Sequence, residues 1–185
     1  MKITPTDLDG VLIVEPDVYA DPRGYFMETY HRERYQQAGI GLHFVQDNLS
    51  FSVKGTVRGL HYQMRHPQAK LVQVVRGEIF DVAVDIRPGS PSFRRWAGIY
   101  LSGENKRQVL IPGGYAHGFC VRSDEAVVWY KCSDFYRPDD EGGINWNDPD
   151  LKIDWPVTRP IVSEKDRGFP FLRDLAPGRL PVSEG

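Results

Sequence analysis

Lys70-Leu71-Val72-Gln73-Val74-Val75-Arg76-Gly77-Glu78-Ile79-Phe80-Asp81-Val82-Ala83-Val84-Asp85-Ile86 is the stretch whose reading decides the fold. β-branched and aromatic residues fill both halves, and Arg76-Gly77-Glu78 interrupts them as a turn. Strand side chains alternate between faces. In the second half Ile79, Asp81, Ala83 and Asp85 therefore share one face, and Phe80, Val82, Val84 and Ile86 the other. The expectation is a β-hairpin with one apolar and one mixed face.

The pattern continues outward from this hairpin. Upstream, residues 10–15 read as a strand ended by Pro16, and Asp21-Pro22-Arg23-Gly24 as a turn leading to a short strand over 25–30. Residues 31–38 are the best helix candidate, with Gly39 placed to end it. Its His31-Arg32-Glu33-Arg34 start carries both signs and reads as a solvated face. Residues 44–53 read as extended, with Gln46 and Asn48 on one face and Val45 on the other. Downstream, strands are expected at 96–101, 108–111, 118–121 and 126–135, broken at Pro112-Gly113-Gly114. From Tyr136 on, Pro, Asp, Gly and Trp dominate, which predicts loops wrapped around the sheet.

The whole chain agrees with this. Its 185 residues suffice for one domain with a sizeable core, and 41% hydrophobic residues is a globular value. The 14 Pro and 18 Gly demand frequent turns, which favours a β sandwich or barrel over a helix bundle. We expect a single domain over 1–175 and a poorly ordered tail over 176–185. A net charge of −2 without any Lys/Arg-dense run argues against nucleic acid as a partner. No apolar run is long enough to span a membrane, and the N-terminus shows no charged-then-apolar leader. Cys120 and Cys132 sit in apolar strand-like segments and are expected as buried free thiols, which fits a reducing cytoplasm.

Two histidine neighbourhoods could carry chemistry: Arg58-Gly59-Leu60-His61-Tyr62-Gln63 and Pro112-Gly113-Gly114-Tyr115-Ala116-His117-Gly118-Phe119. The second resembles the proline, glycine and histidine spacing of the second cupin motif. The first stands where cupins carry a His-any-His pair. The resemblance implies an all-β fold, a cupin-type jelly-roll β-barrel with a few short helices. Position 63 is Gln rather than His, and no Glu follows where a cupin metal site would place one. Two imidazoles alone are a poor donor set for a first-row metal. The expectation is a barrel with no metal and no cofactor.

Such a pocket suits acid–base work. Deprotonation beside a ketone needs a base, a group that stabilises the enolate and a proton donor. His61 is the candidate base, because an imidazole of ordinary pKa, about 6.5, is mostly neutral at pH 7. Asp85 and Asp166 are both candidates to orient it. Lys70 or Arg58 could offset enolate charge, and Tyr130 could donate a proton. Each has a duller alternative as a core or surface residue, and only their combination favours catalysis.

Longer motifs carry a closer resemblance: Asp21-Pro22-Arg23-Gly24-Tyr25-Phe26-Met27-Glu28, Gln46-Asp47-Asn48, Gly55-Thr56-Val57-Arg58-Gly59-Leu60-His61-Tyr62-Gln63, Lys70-Leu71-Val72, the 112–119 segment, Tyr130-Lys131-Cys132, Glu141-Gly142-Gly143-Ile144 and Ser163-Glu164-Lys165-Asp166. In this order, over most of the chain, the sequence resembles the dTDP-4-dehydrorhamnose 3,5-epimerase family. The resemblance implies His61 as base, Asp166 rather than Asp85 as its partner, Tyr130 as the acid on the opposite face of the sugar, and Lys70 near the C4 oxygen. It further implies that Arg23, Glu28, Gln46, Asn48, Arg58, His117, Glu141 and Lys165, with Lys70, hold a dTDP-4-keto-6-deoxyhexose, and that the protein is a homodimer. Inversion at both C3 and C5 would then give dTDP-4-dehydro-L-rhamnose. Three other readings compete: an epimerase of one centre only, a metal-dependent cupin oxygenase, and a non-catalytic sugar-binding cupin.

Overall fold

The computed structural model describes residues 1–181. In chain order the elements are β1 (Lys2–Pro5), β2 (Leu12–Glu15), β3 (Val18–Asp21), β4 (Gly24–Met27), α1 (Arg32–Gln37), β5 (Gln46–Val53), β6 (Val57–Gln63), β7 (Lys70–Arg76), β8 (Glu78–Asp85), β9 (Trp96–Ser102), β10 (Gln108–Ile111), β11 (Tyr115–Val121), β12 (Glu125–Cys132), β13 (Glu141–Gly143) and α2 (Glu164–Arg167). Two antiparallel sheets form the body. One runs β1-β2-β10-β7-β12-β5 and the other β13-β6-β11-β8-β9, while β3 and β4 make a separate hairpin. This is the expected all-β, cupin-like jelly roll with two short helices.

The hairpin expected over 70–86 is absent. β7 and β8 are strands, but they lie in different sheets. β7 pairs with β10 and β12, and β8 with β11 and β9. Gly77 makes the crossing with φ of 81°, and a Cβ there would overlap the Glu125 carbonyl oxygen. Burial is the physical reason for the exchange of partners. Every residue from Ile79 to Asp85 is buried, so both faces of β8 need cover. Ile79 and Ala83 pack between the sheets with Val72, Val74 and Val128 of the facing sheet. Phe80, Val82, Val84 and Ile86 point outward and are covered by Leu151, Trp155, Val162 and Leu172 from the C-terminal loops. Covering both faces removes more apolar area from water, at about 25 cal/mol per Å², than a one-faced hairpin would.

The remaining differences are of extent or of elements added to those expected. The expected helix is α1, with His31 as N-cap, Ala38 as C-cap and Gly39 at φ of 92°. The strand expected over 25–30 ends at Met27, that over 118–121 begins at Tyr115, and that over 126–135 ends at Cys132. β1, β3, β6, β13 and α2 were not foreseen. Of the segment expected as a tail, residues 177–179 form a 3-10 turn, the Arg179 carbonyl accepts from Tyr62 Oη at 2.7 Å, and Leu180 packs against the outer core; residues 182–185 lie outside the described residues. Cys120 and Cys132 are buried and free. Among the described residues no helix is long and apolar enough to cross a membrane.

Candidate active site

The two sheets enclose a cavity of about 250 Å³ lined by Gln46, Asn48, His61, Tyr62, Gln63, Gln68, Lys70, Tyr130, Cys132, Tyr136 and Glu141. Each sheet supplies its own chemistry. The five-stranded sheet presents His61 on β6 and Glu141 on β13, which are brought together because Gly143 pairs with His61 and Glu141 with Gln63. The six-stranded sheet presents Gln46 and Asn48 on β5, Lys70 on β7, and Tyr130 and Cys132 on β12, with Tyr130 opposite Asn48 and Cys132 opposite Lys70. The imidazole and the phenol therefore enter the cavity from opposite walls.

A bulge in β6 sets the position of His61. His117 on β11 pairs with His61, but Phe119, two positions on, pairs with Arg58, three positions back. The extra residue falls at Gly59, whose φ is 112°. A Cβ at Gly59 would stand 2.6 Å from Gly118 Cα and 2.7 Å from the His117 carbonyl oxygen, so only glycine permits this approach. The Gly59 amide then donates to Asp166 Oδ2 at 3.1 Å, and His61 Nε2 meets Asp166 Oδ1 at 2.8 Å. Ser163 caps α2 by accepting from the Asp166 amide at 3.0 Å, which fixes the carboxylate behind the imidazole. Burial acts to raise the Asp166 pKa, but the His61 hydrogen bond and charge, with the Gly59 amide, outweigh it and hold the carboxyl below its usual range. The pair leaves the other imidazole nitrogen, Nδ1, without a partner among the described residues.

The facing wall is less committed. Burial pushes the Tyr130 phenol up and the Lys70 ammonium down. The pocket's carboxylates are engaged elsewhere, Asp166 with His61, Glu141 with Lys165 and Asp81 with His117, so Lys70 has no ion pair among the described residues. A phenol and an amine held in a partly dry cavity, aimed at no protein acceptor, are suited to a developing oxyanion.

The other expected residues divide into three groups. Gln46 and Asn48 are joined at 3.1 Å, and Gln46 Oε1 accepts from the Tyr136 amide at 2.8 Å. Arg58 sits beside the cavity, its Nε donating to Ser52 Oγ at 2.9 Å, while Glu141 accepts from Lys165 Nζ and Tyr136 Oη. His117 lies beneath the pocket, its Nε2 at 2.8 Å from Asp81 Oδ2. Arg23 and Glu28 do not reach this chain's cavity. Arg23 is exposed on the β3–β4 hairpin and pairs with Asp21, and Glu28 pairs with Arg34. Asp85, the other candidate for orienting His61, is elsewhere: despite its burial, Arg87, Ser90 and Ser92 hold it down to about 2. Gln63 is used by the fold. Its amide donates to the His66 and Phe135 carbonyls and accepts from the Arg137 amide, which ties two loops at the pocket mouth. Among the described residues no group of three or more His, Cys, Asp or Glu side chains could hold a metal ion.

Cys132, Gln68 and Tyr136 line the cavity without having been singled out as site residues. For Cys132 the signal was present, since it lies two residues from Tyr130 and period two puts both on one face. Gln68 and Tyr136 sit in loops, where no periodicity applies.

Residues 5–174 match the family model for dTDP-4-dehydrorhamnose 3,5-epimerase. A dTDP-4-dehydrorhamnose 3,5-epimerase from Methanothermobacter thermautotrophicus is 54% identical, over 94% of this chain and 95% of that protein. The crystal structure of the dTDP-6-deoxy-D-glucose-3,5-epimerase of Legionella pneumophila, in complex with dTDP-4-keto-L-rhamnose, is 49% identical, covers 100% of this chain and 99% of that one, and superposes with a TM-score of 0.96. A dTDP-4-dehydrorhamnose 3-epimerase from Streptomyces niveus is 44% identical, over 98% of this chain and 89% of that protein.

Proposed function

The chain belongs to the dTDP-4-dehydrorhamnose 3,5-epimerase family, and we propose that His61, Tyr130 and Lys70 are the groups with which it performs that reaction. It is an isomerase that converts dTDP-4-dehydro-6-deoxy-D-glucose into dTDP-4-dehydro-L-rhamnose. C3 and C5 both flank the C4 ketone, so loss of either proton gives an enolate on the same oxygen. His61 takes the proton, and Asp166 stabilises the imidazolium that forms. Lys70 offsets the charge growing on the C4 oxygen. Tyr130 returns a proton to the opposite face, which inverts the carbon. Proton exchange with solvent returns His61 and Tyr130 to their starting forms, repeating the cycle at the second carbon completes the reaction, and no electrons are exchanged with a cofactor. The observation that carries this reading is the approach of His61 and Tyr130 from opposite sheets into one cavity.

Gln46, Asn48, Arg58, Glu141 and Lys165 hold the nucleotide sugar, His117 shaping the pocket from beneath, with Arg58 suited to the diphosphate because guanidinium meets phosphate oxygens through paired hydrogen bonds. Arg23 and Glu28 serve the pocket of a second copy in a homodimer. Two features support that dimer. The hairpin carrying Arg23 exposes Tyr19, Tyr25 and Phe26, at 65%, 56% and 69%, and the edge strand β5 exposes Leu49 and Phe51, at 68% and 58%. The free thiols Cys120 and Cys132 suit a reducing cytoplasm.

A second reading, inversion of one carbon only, is favoured by the 3-epimerase relative at 44% identity. Borohydride reduction of the product, followed by sugar analysis, separates the two. Sugars of the L-series inverted at both C3 and C5 support the double reaction, and sugars inverted at one carbon support the second reading.

A further inference from the structure

Asp81 is a buried carboxylate whose charge the mechanism above leaves unused. Its Oδ2 receives His117 Nε2 at 2.8 Å, while its Oδ1 is buried and has no hydrogen-bond partner among the described residues. A buried carboxylate oxygen without a partner is costly unless a cation is near. Lys70 stands on the facing sheet, where the Asp81 charge acts on it, and has no ion pair of its own among the described residues. We propose that Asp81, anchored by His117, is the positioning carboxylate that keeps the Lys70 ammonium charged, and this rests on the assignment of Lys70 as enolate stabiliser.

The surroundings of Lys70 leave few alternatives. From β5 come the neutral Gln46 and Asn48, from β6 His61, from β8 Asp81, from β11 His117, from β12 Tyr130 and Cys132, and from β13 Glu141; β10 places Ile111 opposite it. The charges acting on Lys70 are those of Cys132, Asp81 and Glu141, in that order. Burial raises the Cys132 thiol, which keeps it protonated near neutral pH. Glu141 is neutralised by Lys165 and also accepts from Tyr136. That leaves Asp81 as the carboxylate with an open oxygen. His117 fixes its orientation from β11, the strand that also pairs with the strand of the base.

The test is an NMR titration of the 13C-lysine-labelled full-length enzyme, with the Lys70 signal assigned through Lys70→Arg. In Asp81→Asn the amide oxygen can still meet His117, so the fold is expected to persist. Its Lys70 midpoint should fall by on the order of one pH unit or more, the usual effect of an adjacent opposite charge. The alkaline limb of kcat should fall with it. In Lys70→Arg the guanidinium stays charged, so that limb should disappear, and adding Asp81→Asn should not restore it. A Lys70 midpoint equal to wild type in folded Asp81→Asn overturns the proposal. A midpoint that falls while the kcat limb stays put upholds the Asp81–Lys70 coupling and overturns Lys70 as enolate stabiliser.

Discussion

Two histidine–aspartate pairs stand side by side in the barrel and share a geometry. His61 and His117 are cross-strand neighbours on β6 and β11, and in each pair Nε2 lies 2.8 Å from a carboxylate oxygen. Access separates them. The His61 side chain is 30% exposed and opens on the cavity, whereas that of His117 is 9% exposed and its Asp81 is fully buried. The two carboxylates differ as well. The second oxygen of Asp166 takes the Gly59 amide, and that of Asp81 takes nothing among the described residues. One arrangement can thus serve two ends. With a free ring nitrogen at the cavity it can exchange protons with a ligand, and sealed beneath the cavity it can only supply position and charge.

The substitution that should divide the pairs most sharply is His61→Ala. Loss of a general base removes about 10²–10⁴ in rate, so solvent deuterium should stop entering at both C3 and C5 while dTDP binding, followed by calorimetry, stays near wild type. His117→Asn should act differently. It breaks a buried hydrogen bond, costing roughly 1–3 kcal/mol, and should appear as a lowered melting temperature with exchange at both carbons still measurable. Equal loss of exchange in the two variants would dissolve the distinction. Tyr130→Phe probes the facing wall: product formation should fall further than deuterium wash-in, because deprotonation survives and reprotonation does not. A parallel fall in the two would deny Tyr130 the acid role.

A smaller effect concerns pH. Asp166 has a depressed folded-state pKa, so the stability it adds is present above its unfolded value, about 3.9, and is lost as pH falls through the folded value. The difference in unfolding free energy between wild type and Asp166→Asn should be largest at neutral pH and close in acid, as read from denaturant melts across pH. A difference that stays constant with pH would detach Asp166 from His61. The smallest expected effect is none: dialysis against a chelator should leave kcat unchanged, since the pocket's donor set suits no metal. Activity lost on chelation and restored by iron would return the oxygenase reading.

The sequence showed the strands far better than their partners. Alternation located β7 and β8 because burial on a pleated surface writes a period of two into the chain. It could not show that Gly77 carries the chain across to the opposite sheet, because a glycine turn looks alike in a hairpin and in a crossover. The candidate site was legible in part for a related reason. Lys70 and Tyr130 lie on strands that the alternation located, where spacing fixes the face, whereas the strand of His61 was not foreseen and its imidazole stood out by residue type and motif. Asp166 comes from a four-residue helix far along the chain, and residue type alone could not choose it over Asp85; the family resemblance singled it out, and the structure shows why Asp85 is elsewhere, spent on Arg87, Ser90 and Ser92. The placement of Arg23 and Glu28 outside the cavity was not legible, because no local pattern says which pocket a protruding hairpin will reach.

The central claim is that one cavity, with a base on one wall and an acid on the other, inverts two carbons beside one ketone. Its most direct test is proton NMR in deuterium oxide of dTDP-4-dehydro-6-deoxy-D-glucose with the enzyme and no added metal. The account predicts deuterium at both C3 and C5 of a product inverted at both centres, and a substrate that keeps its protons at both carbons would contradict it.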